Sequence, residues 1–438
     1  MSVSRPGLTP DTMTAEIRAL ATPLDDVSDL DGLVAQATDS RFVCLGEASH
    51  GTSEFYRWRA LLSQRLIQTQ DISWIGVEGD WPDCWQINQW VRGRAHQDLD
   101  VVSLLSRFER WPTWMWANRE VADFLSWLRD WNRTRPAAAR VGFYGLDVYS
   151  LWDSLRVVMS WLKANEPDAL PDALRAWHCF LPYGEDPHRY AWGTRLVPRS
   201  CEPDVVSLLV EVRRRTSGRT DEDAFDVAQN AEVAADAERY YRIMMRGDRE
   251  SWNVRDHHMT DTIDRIAQHH GPRSRGLVWE HNTHVGDARG TDMARHGMVN
   301  VGQLLRERHG LERVSLVGFA SHRGSVLAAA GWGQPEQVLP LPVARQGSHE
   351  DLLHRALGRR AVLPFGVHRA AGWLTAPLGH RAVGVVYDPL QELTNYVPTR
   401  MGARYDALVW FEQTEALHAL HHEARPTEPE LETEPSGF

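Results

Sequence analysis

The run Phe42-Val43-Cys44-Leu45-Gly46-Glu47-Ala48-Ser49-His50-Gly51 decides how this chain folds. Four apolar residues stop at a glycine and give way at once to an acid, a hydroxyl and a histidine. The apolar half reads as a short buried strand, and the polar half as the loop at its carboxyl end. The same order recurs along the chain. Residues 74–77 are followed by Glu78 and Asp80, and residues 141–146 by Asp147. Residues 277–279 lead into Glu280-His281-Asn282-Thr283-His284, and residues 314–319 into Ser321-His322-Arg323. Apolar runs at 362–365, 382–387 and 408–411 complete the expected strands. Helical patterns of crossover length fill the early gaps, at 54–70, 121–132 and 151–165. Strands alternating with helices predict an α/β fold, with a largely parallel central sheet flanked by helices.

Between about 168 and 271 only helical patterns occur, including 224–246 and 254–268. This stretch is expected to form a helical insertion that caps the cleft. The chain then divides into an N-terminal extension (1–24), an N-terminal α/β part with the first motifs (25–167), the insertion (168–271), a C-terminal α/β part (272–415) and an acidic tail (416–438). The last eighteen residues hold five glutamates, three prolines and one arginine, a composition expected to be disordered.

At 438 residues, with 42% hydrophobic and 24% charged side chains, the composition is that of an ordinary globular protein. A net charge of -11 argues against nucleic acid as a partner. Forty-seven arginines accompany a single lysine, Lys163, so P-loop phosphate binding and imine chemistry are effectively excluded. Four cysteines without C-x-x-C spacing indicate neither a zinc knuckle nor a redox dithiol, and fit reduced thiols in a cytoplasmic protein. The N-terminus lacks the apolar core of a signal peptide, and no run is long enough to span a membrane. Of 19 tryptophans, 12 fall between Trp58 and Trp161, which predicts a core of large side chains, an aromatic-walled cleft, or both. Oligomeric state is not readable from the sequence.

In open α/β sheets ligands bind beyond the carboxyl ends of the strands, where the ionisable residues gather here. His50 can take a proton from water while a carboxylate orients its ring, and Glu47 stands three residues away. Glu78, His281 and His284 follow neighbouring strands, and Arg59 on the first crossover helix can anchor a carboxylate or serve an oxyanion. Asp147, Asn282, Trp81 and Trp116 are candidates for substrate contact. The set suits water activation against an electrophilic carbonyl of a small-molecule substrate. No G-x-S-x-G elbow or H-E-x-x-H helix occurs. A metal set of His281 and His284 with Glu47 and Glu78 is an alternative, as are base-driven elimination, isomerisation or cyclisation in secondary metabolism, and simple sequestration of an apolar ligand.

These same residues resemble the erythromycin esterase family, also described as succinoglycan-biosynthesis-like. Residues 42–52 with Glu54-Phe55 are similar to its first motif, and Val77-Glu78-Gly79-Asp80-Trp81-Pro82-Asp83-Cys84 to its second. Pro112-Thr113-Trp114-Met115-Trp116, residues 142–147, residues 279–288, residues 318–324 and Tyr405-Asp406-Ala407-Leu408 extend the likeness over roughly 25–415. The resemblance implies an ester hydrolase, in named members acting on the lactone of 14-membered macrolides and conferring antibiotic resistance. It implies a deep cleft and a histidine base working without a metal or other cofactor. Carried over by motif, the base falls on His50, its carboxylates on Glu47 and Glu78, the arginine on Arg59, and the second-motif histidines on His281 and His284. Glu280 and His322 depart from the family pattern, where smaller or aromatic residues are usual.

Overall fold

A computed structural model describes residues 9–196, 200–245 and 248–421. The first eight residues of the N-terminal extension, and residues 422–438 of the acidic tail, lie outside the described residues. The strands are β1 (Thr22–Pro23), β2 (Phe42–Leu45), β3 (Ile72–Asp80), β4 (Gly142–Asp147), β5 (Arg275–Trp279), β6 (Val314–Ala329), β7 (Glu336–Leu341), β8 (Ala361–Pro364), β9 (Leu378–Arg381), β10 (Tyr396–Thr399) and β11 (Ala407–Thr414). The central sheet has the order β1-β8-β11-β6-β2-β5-β3-β4, with β7 paired to β6. From β11 to β4 every pairing is parallel. The protein is therefore a mixed α/β structure with a large, mainly parallel sheet flanked by helices.

β2 shows why the sequence folds this way. All four of its residues are buried, and they alternate between the two faces of the sheet. Val43 and Leu45 enter the apolar cluster on one face, and Phe42 and Cys44 the cluster on the other. The chain leaves β2 through the helix Ser53–Thr69 and returns at β3, skipping the place that β5 later fills. That change of direction opens a crevice at the carboxyl ends of β2, β5 and β3, where a doubly wound sheet places its ligand.

Three local expectations need correction. The run 382–387 is not a strand, and makes only isolated bridges at Ser49–Val383 and Ala329–Val386. Val383 N–H donates to the Ala48 carbonyl in the His50 loop and Tyr387 N–H to the Ala329 carbonyl at the end of β6, so the run braces that loop and adds no full strand to the sheet. The run at 314–319 continues as a 16-residue strand whose far half pairs with β7. β7 carries Pro340 and lies at an edge, where proline is tolerated, and this concealed it in the sequence. Finally, Cys179 and Cys201 form a disulfide, Cα to Cα 5.8 Å, instead of two reduced thiols. Their sequence separation of 22 offers no local spacing signal, and helix packing brings them together. A loop of that size stabilises the fold by about 3 kcal/mol on chain-entropy grounds. Cys44 and Cys84 are free and buried.

Residues 168–271 hold the helices Leu170–Phe180, Pro187–Leu196, Glu202–Thr216, Glu222–Ile243 and Asp248–His269. With the helix Leu151–Asn165 they share an apolar cluster of their own, including Leu155, Leu208, Val227 and Ala234. No helix among the described residues is long and apolar enough to cross a membrane.

Candidate active site

The loop after β2 is packed too tightly for side chains at its two glycines. A Cβ on Gly46 would collide with Asn282 Oδ1, and one on Gly51 with the backbone carbonyl of Leu327. Between them the chain turns so that Glu47 and His50 meet. His50 Nδ1 lies 2.7 Å from Glu47 Oε1, and both side chains are almost fully buried. Glu47 Oε2 pairs with Arg59 Nη2 at 3.0 Å. The Arg59 guanidinium is itself held between the Tyr56 and Trp279 rings, 4.6 and 4.8 Å from their centroids. Arg59 thus stands behind Glu47 and fixes it.

Glu78, at the end of β3, is the second hub. Its Oε1 lies 4.0 Å from His50 Nε2 and accepts from Arg255 Nη2 at 2.7 Å. Its Oε2 accepts from the His281 backbone N–H at 2.7 Å. Arg255 also grips Asp147 with two hydrogen bonds, of 3.0 and 2.8 Å. Burial pushes the Asp147 carboxyl up, but Arg255 more than offsets this and brings its pKa down to about 2.

His284 lies stacked on Trp252, ring centroids 4.5 Å apart. Its Nδ1 faces Asp256 at 3.0 Å, and its Nε2 sits between Arg255 Nη1 at 3.1 Å and Glu78 Oε1 at 3.5 Å. Burial lowers its pKa, yet the carboxylates of Asp256 and Glu78 outweigh burial and raise it to about 9. A neutral ring accepts from Arg255 and an imidazolium donates toward Glu78, so the second proton decides which neighbour Nε2 faces. Asp256 also accepts from the Val301 backbone N–H at 3.0 Å, which fixes it against the C-terminal half of the sheet.

His281 packs its ring against His50, centroids 4.9 Å apart. Burial and the neighbouring His50 and His284 hold its pKa well below the ordinary value, so it is neutral. Glu280, beside it in sequence, is completely buried, and neither carboxyl oxygen has a hydrogen-bond partner among the described residues. Burial keeps it protonated. Two of the expected substrate contacts lie elsewhere. Asn282 donates to the Phe319 carbonyl at 2.7 Å and lies against His380 Nε2 at 3.4 Å, tying β6 to the loop after β5. Trp81 stacks with Trp85 and Tyr144 and donates to Asp226, as part of the core. Both side chains are buried at the first residue of a helix, Trp81–Val91 and Asn282–Val285, and are occupied by structure.

An open cleft lies over the strand ends. Of the six expected catalytic residues, His50 and Glu78 reach its wall, joined there by Asp147 and Trp116. The opposite walls are apolar and aromatic, with Trp111, Met115 and Trp332 on one side and Tyr240, Tyr241 and Met244 from the helical segment on the other. Trp74, Trp81 and Trp114 are fully buried, so the tryptophan-rich region builds both core and cleft. Asp83 lines the cleft too, and burial beside Asp80 raises its pKa to about 7.

Arg255 and Asp256 were not expected from the sequence, because 254–268 reads only as helix. The signal available was a helix whose buried face is polar: Asp256, His258, Thr260 and Thr262 are all almost completely inaccessible. The side chains of the alternative metal set already have partners at several of their atoms. The Nδ1 atoms of His281 and His284 are turned to Thr283 and Asp256, and arginines occupy Glu47 and Glu78. Among the described residues the only three-membered cluster placed to hold an ion is a different one, His322, His354 and Glu412.

Comparison with known proteins follows the same outline. The sequence model for the erythromycin esterase family matches residues 67–414. Erythromycin esterase type II of Escherichia coli is 25% identical over 152 residues, 34% of either chain, so the alignment spans about a third of that relative's length. Among solved structures, a succinoglycan biosynthesis protein is similar with a TM-score of 0.77 and 18% identity, over 95% of this chain and 100% of its own. A Bacillus cereus protein gives 0.77 and 17%, over 94% and 100%. A mutant erythromycin esterase in its open conformation gives 0.64 and 18%, over 89% of this chain and 94% of that one. At these identities the structures speak to the fold alone.

Proposed function

Because the chain belongs to the erythromycin esterase family, we propose that it hydrolyses a carboxylic ester or lactone in a sizeable, partly apolar small molecule, with His50 as general base and no metal. The observation that carries this reading is His50 itself. Its Nδ1 is held by Glu47 at 2.7 Å while the residue lines the cleft over the strand ends. With Nδ1–H donating to Glu47, Nε2 presents its lone pair for a proton.

His50 Nε2 and Glu78 Oε1 are 4.0 Å apart, so a water about 2.8 Å from both sits off the line joining them. His50 takes one proton from that water as its oxygen bonds to the ester carbonyl carbon. The carbonyl π pair moves onto oxygen, and Arg255 on the cleft wall is the cation available to it. Collapse breaks the bond to the alkoxy oxygen, and the imidazolium returns its proton to that oxygen. Glu78, with Arg255 and the His281 amide fixing both its oxygens, positions the water. Glu47, Arg59 and the His284–Asp256 pair are positioning residues behind the reacting groups.

A macrolide lactone is the substrate class the family points to, and the aromatic walls suit a large ligand of that kind. Mass spectrometry of reactions with macrolides, simpler lactones and aryl esters tests the reading, with wild type beside His50→Ala. The expected result is a product heavier by one water that is lost in the variant. An unchanged rate in a folded His50→Ala protein overturns the mechanism, and a product without added water overturns hydrolysis.

A further inference from the structure

β6 and β11 run parallel, with Ser321 opposite Phe411 and Arg323 opposite Gln413, so His322 and Glu412 are neighbours on the same face of the sheet. That face carries Ala320 and Trp410 and is covered by the helix His349–Leu357, which buries Leu352 and Leu353 there. The helix brings His354 over the pair. Its Nδ1 lies 2.7 Å from Glu412 Oε1, and its ring stacks on that of His322, centroids 3.9 Å apart. One potential ligand atom from each of the three residues lies within 4.8 Å of the others. None of the three lines the cleft described above.

Two features separate this cluster from an ordinary hydrogen-bonded surface. His322 is 5% exposed, and its Nδ1 has no hydrogen-bond partner among the described residues. Glu412 Oε2 is a buried atom and likewise has no hydrogen-bond partner among the described residues. A buried lone pair and a buried carboxylate oxygen beside each other call for a shared electrophile. Of the nearby cations, Arg381 is paired with Glu392 and Arg355 with Asp351. The His354 side chain is 41% exposed, which leaves a path from solvent.

We propose that His322, His354 and Glu412 form a divalent metal site of the zinc type, distinct from the esterase cleft, with solvent as the fourth ligand. Two imidazole nitrogens and one carboxylate oxygen suit Zn²⁺ with an open position. Tetrahedral ligands about 2.0–2.1 Å from zinc lie roughly 3.4 Å apart, and these donors all lie within 4.8 Å of one another, so the movement required is at most about 1.4 Å. The half-exposed His354 ring supplies that movement by turning out of its stack. Binding fastens the helix His349–Leu357 to the middle of β6 and the last residues of β11.

The test is calorimetric titration of the chelator-stripped full chain with zinc chloride, beside His354→Ala and Glu412→Gln. Cobalt chloride absorption reports ligand geometry in parallel. The expected result is one ion per chain in the wild type, an affinity at least about tenfold weaker in each variant, and unchanged circular dichroism. A thermal shift with zinc that vanishes in His354→Ala supports the same site. No binding by the wild type, or equal binding by wild type and both variants, overturns the proposal.

Discussion

His50 Nδ1 and Glu47 Oε1 are 2.7 Å apart on one loop, and the other oxygen of Glu47 is paired with Arg59. The acid is therefore anchored on one side and orients the histidine on the other. Because Arg59 is clasped between two aromatic rings, the chain Arg59–Glu47–His50 is rigid before any ligand arrives. Such preorganisation limits the reorganisation required in the transition state.

Glu47→Gln keeps the shape of this chain and removes its charge. The amide can present N–H to Nδ1 and favour the wrong tautomer, leaving a proton on Nε2 where the base must be free. We expect kcat to fall by about 10²–10⁴-fold with little change in KM, measured by steady-state hydrolysis of whichever ester proves to be turned over. A variant retaining more than half of wild-type kcat would remove Glu47 from the mechanism.

Arg255 neutralises Asp147 and Glu78 together, at 2.8 and 2.7 Å. Arg255→Met leaves two buried carboxylates without their cation, a change that costs about 3–5 kcal/mol. The pH dependence follows from Asp147, whose pKa falls from the ordinary 3.8 to about 2. A depressed acid stabilises the fold fully above its unfolded value and loses that contribution as pH falls through its folded value. The wild type should therefore lose roughly 2 kcal/mol between about pH 4 and pH 2 from this residue. In Arg255→Met that portion of the acid limb should be missing from urea unfolding curves.

The residues legible in the sequence were those at strand ends, because a strand boundary is a local signal. Glu47, His50 and Glu78 each stand within a few residues of the end of an apolar run, and the fold brings them together. Arg255 and Asp256 were invisible because they sit mid-helix, where charge ordinarily means a solvated face. Only the packing of Asp248–His269 beneath the cleft turns them inward. Asn282 and Trp81 show the opposite error: they belong to matching motifs but hold the scaffold. The run 382–387 has the composition of a strand and lacks a free sheet edge, so composition alone misassigned it. The cysteine pair was hidden by distance along the chain.

His284 predicts a stability change on the alkaline side. Its pKa is raised from 6.5 to about 9, burial being outweighed by Asp256 and Glu78. A raised base contributes fully below its unfolded value and loses that contribution as pH rises through its folded value. Between pH 6.5 and pH 9 the wild type should lose stability on the order of 3 kcal/mol. Asp256→Asn removes the carboxylate facing Nδ1 and should flatten this decline. Melting temperatures across that range check it, and parallel curves for the two proteins would refute the assignment of the raised pKa to Asp256.

Glu280 gives the opposite kind of test, a substitution that should improve the protein. Its side chain is wholly buried with neither oxygen partnered among the described residues, and burial raises its pKa well above the ordinary 4.5. A raised acid favours folding below its unfolded value and forfeits that advantage as pH rises, because the unfolded chain ionises where the folded one cannot. At pH 7 the carboxyl is therefore a liability that an amide of the same shape does not carry. Glu280→Gln should match the wild type in urea unfolding near pH 4 and exceed it at pH 7, with the gap widening toward pH 8. A variant less stable at pH 7 than at pH 4, relative to wild type, would mean that Glu280 is ionised in the fold and that Arg255 or His284 reaches it.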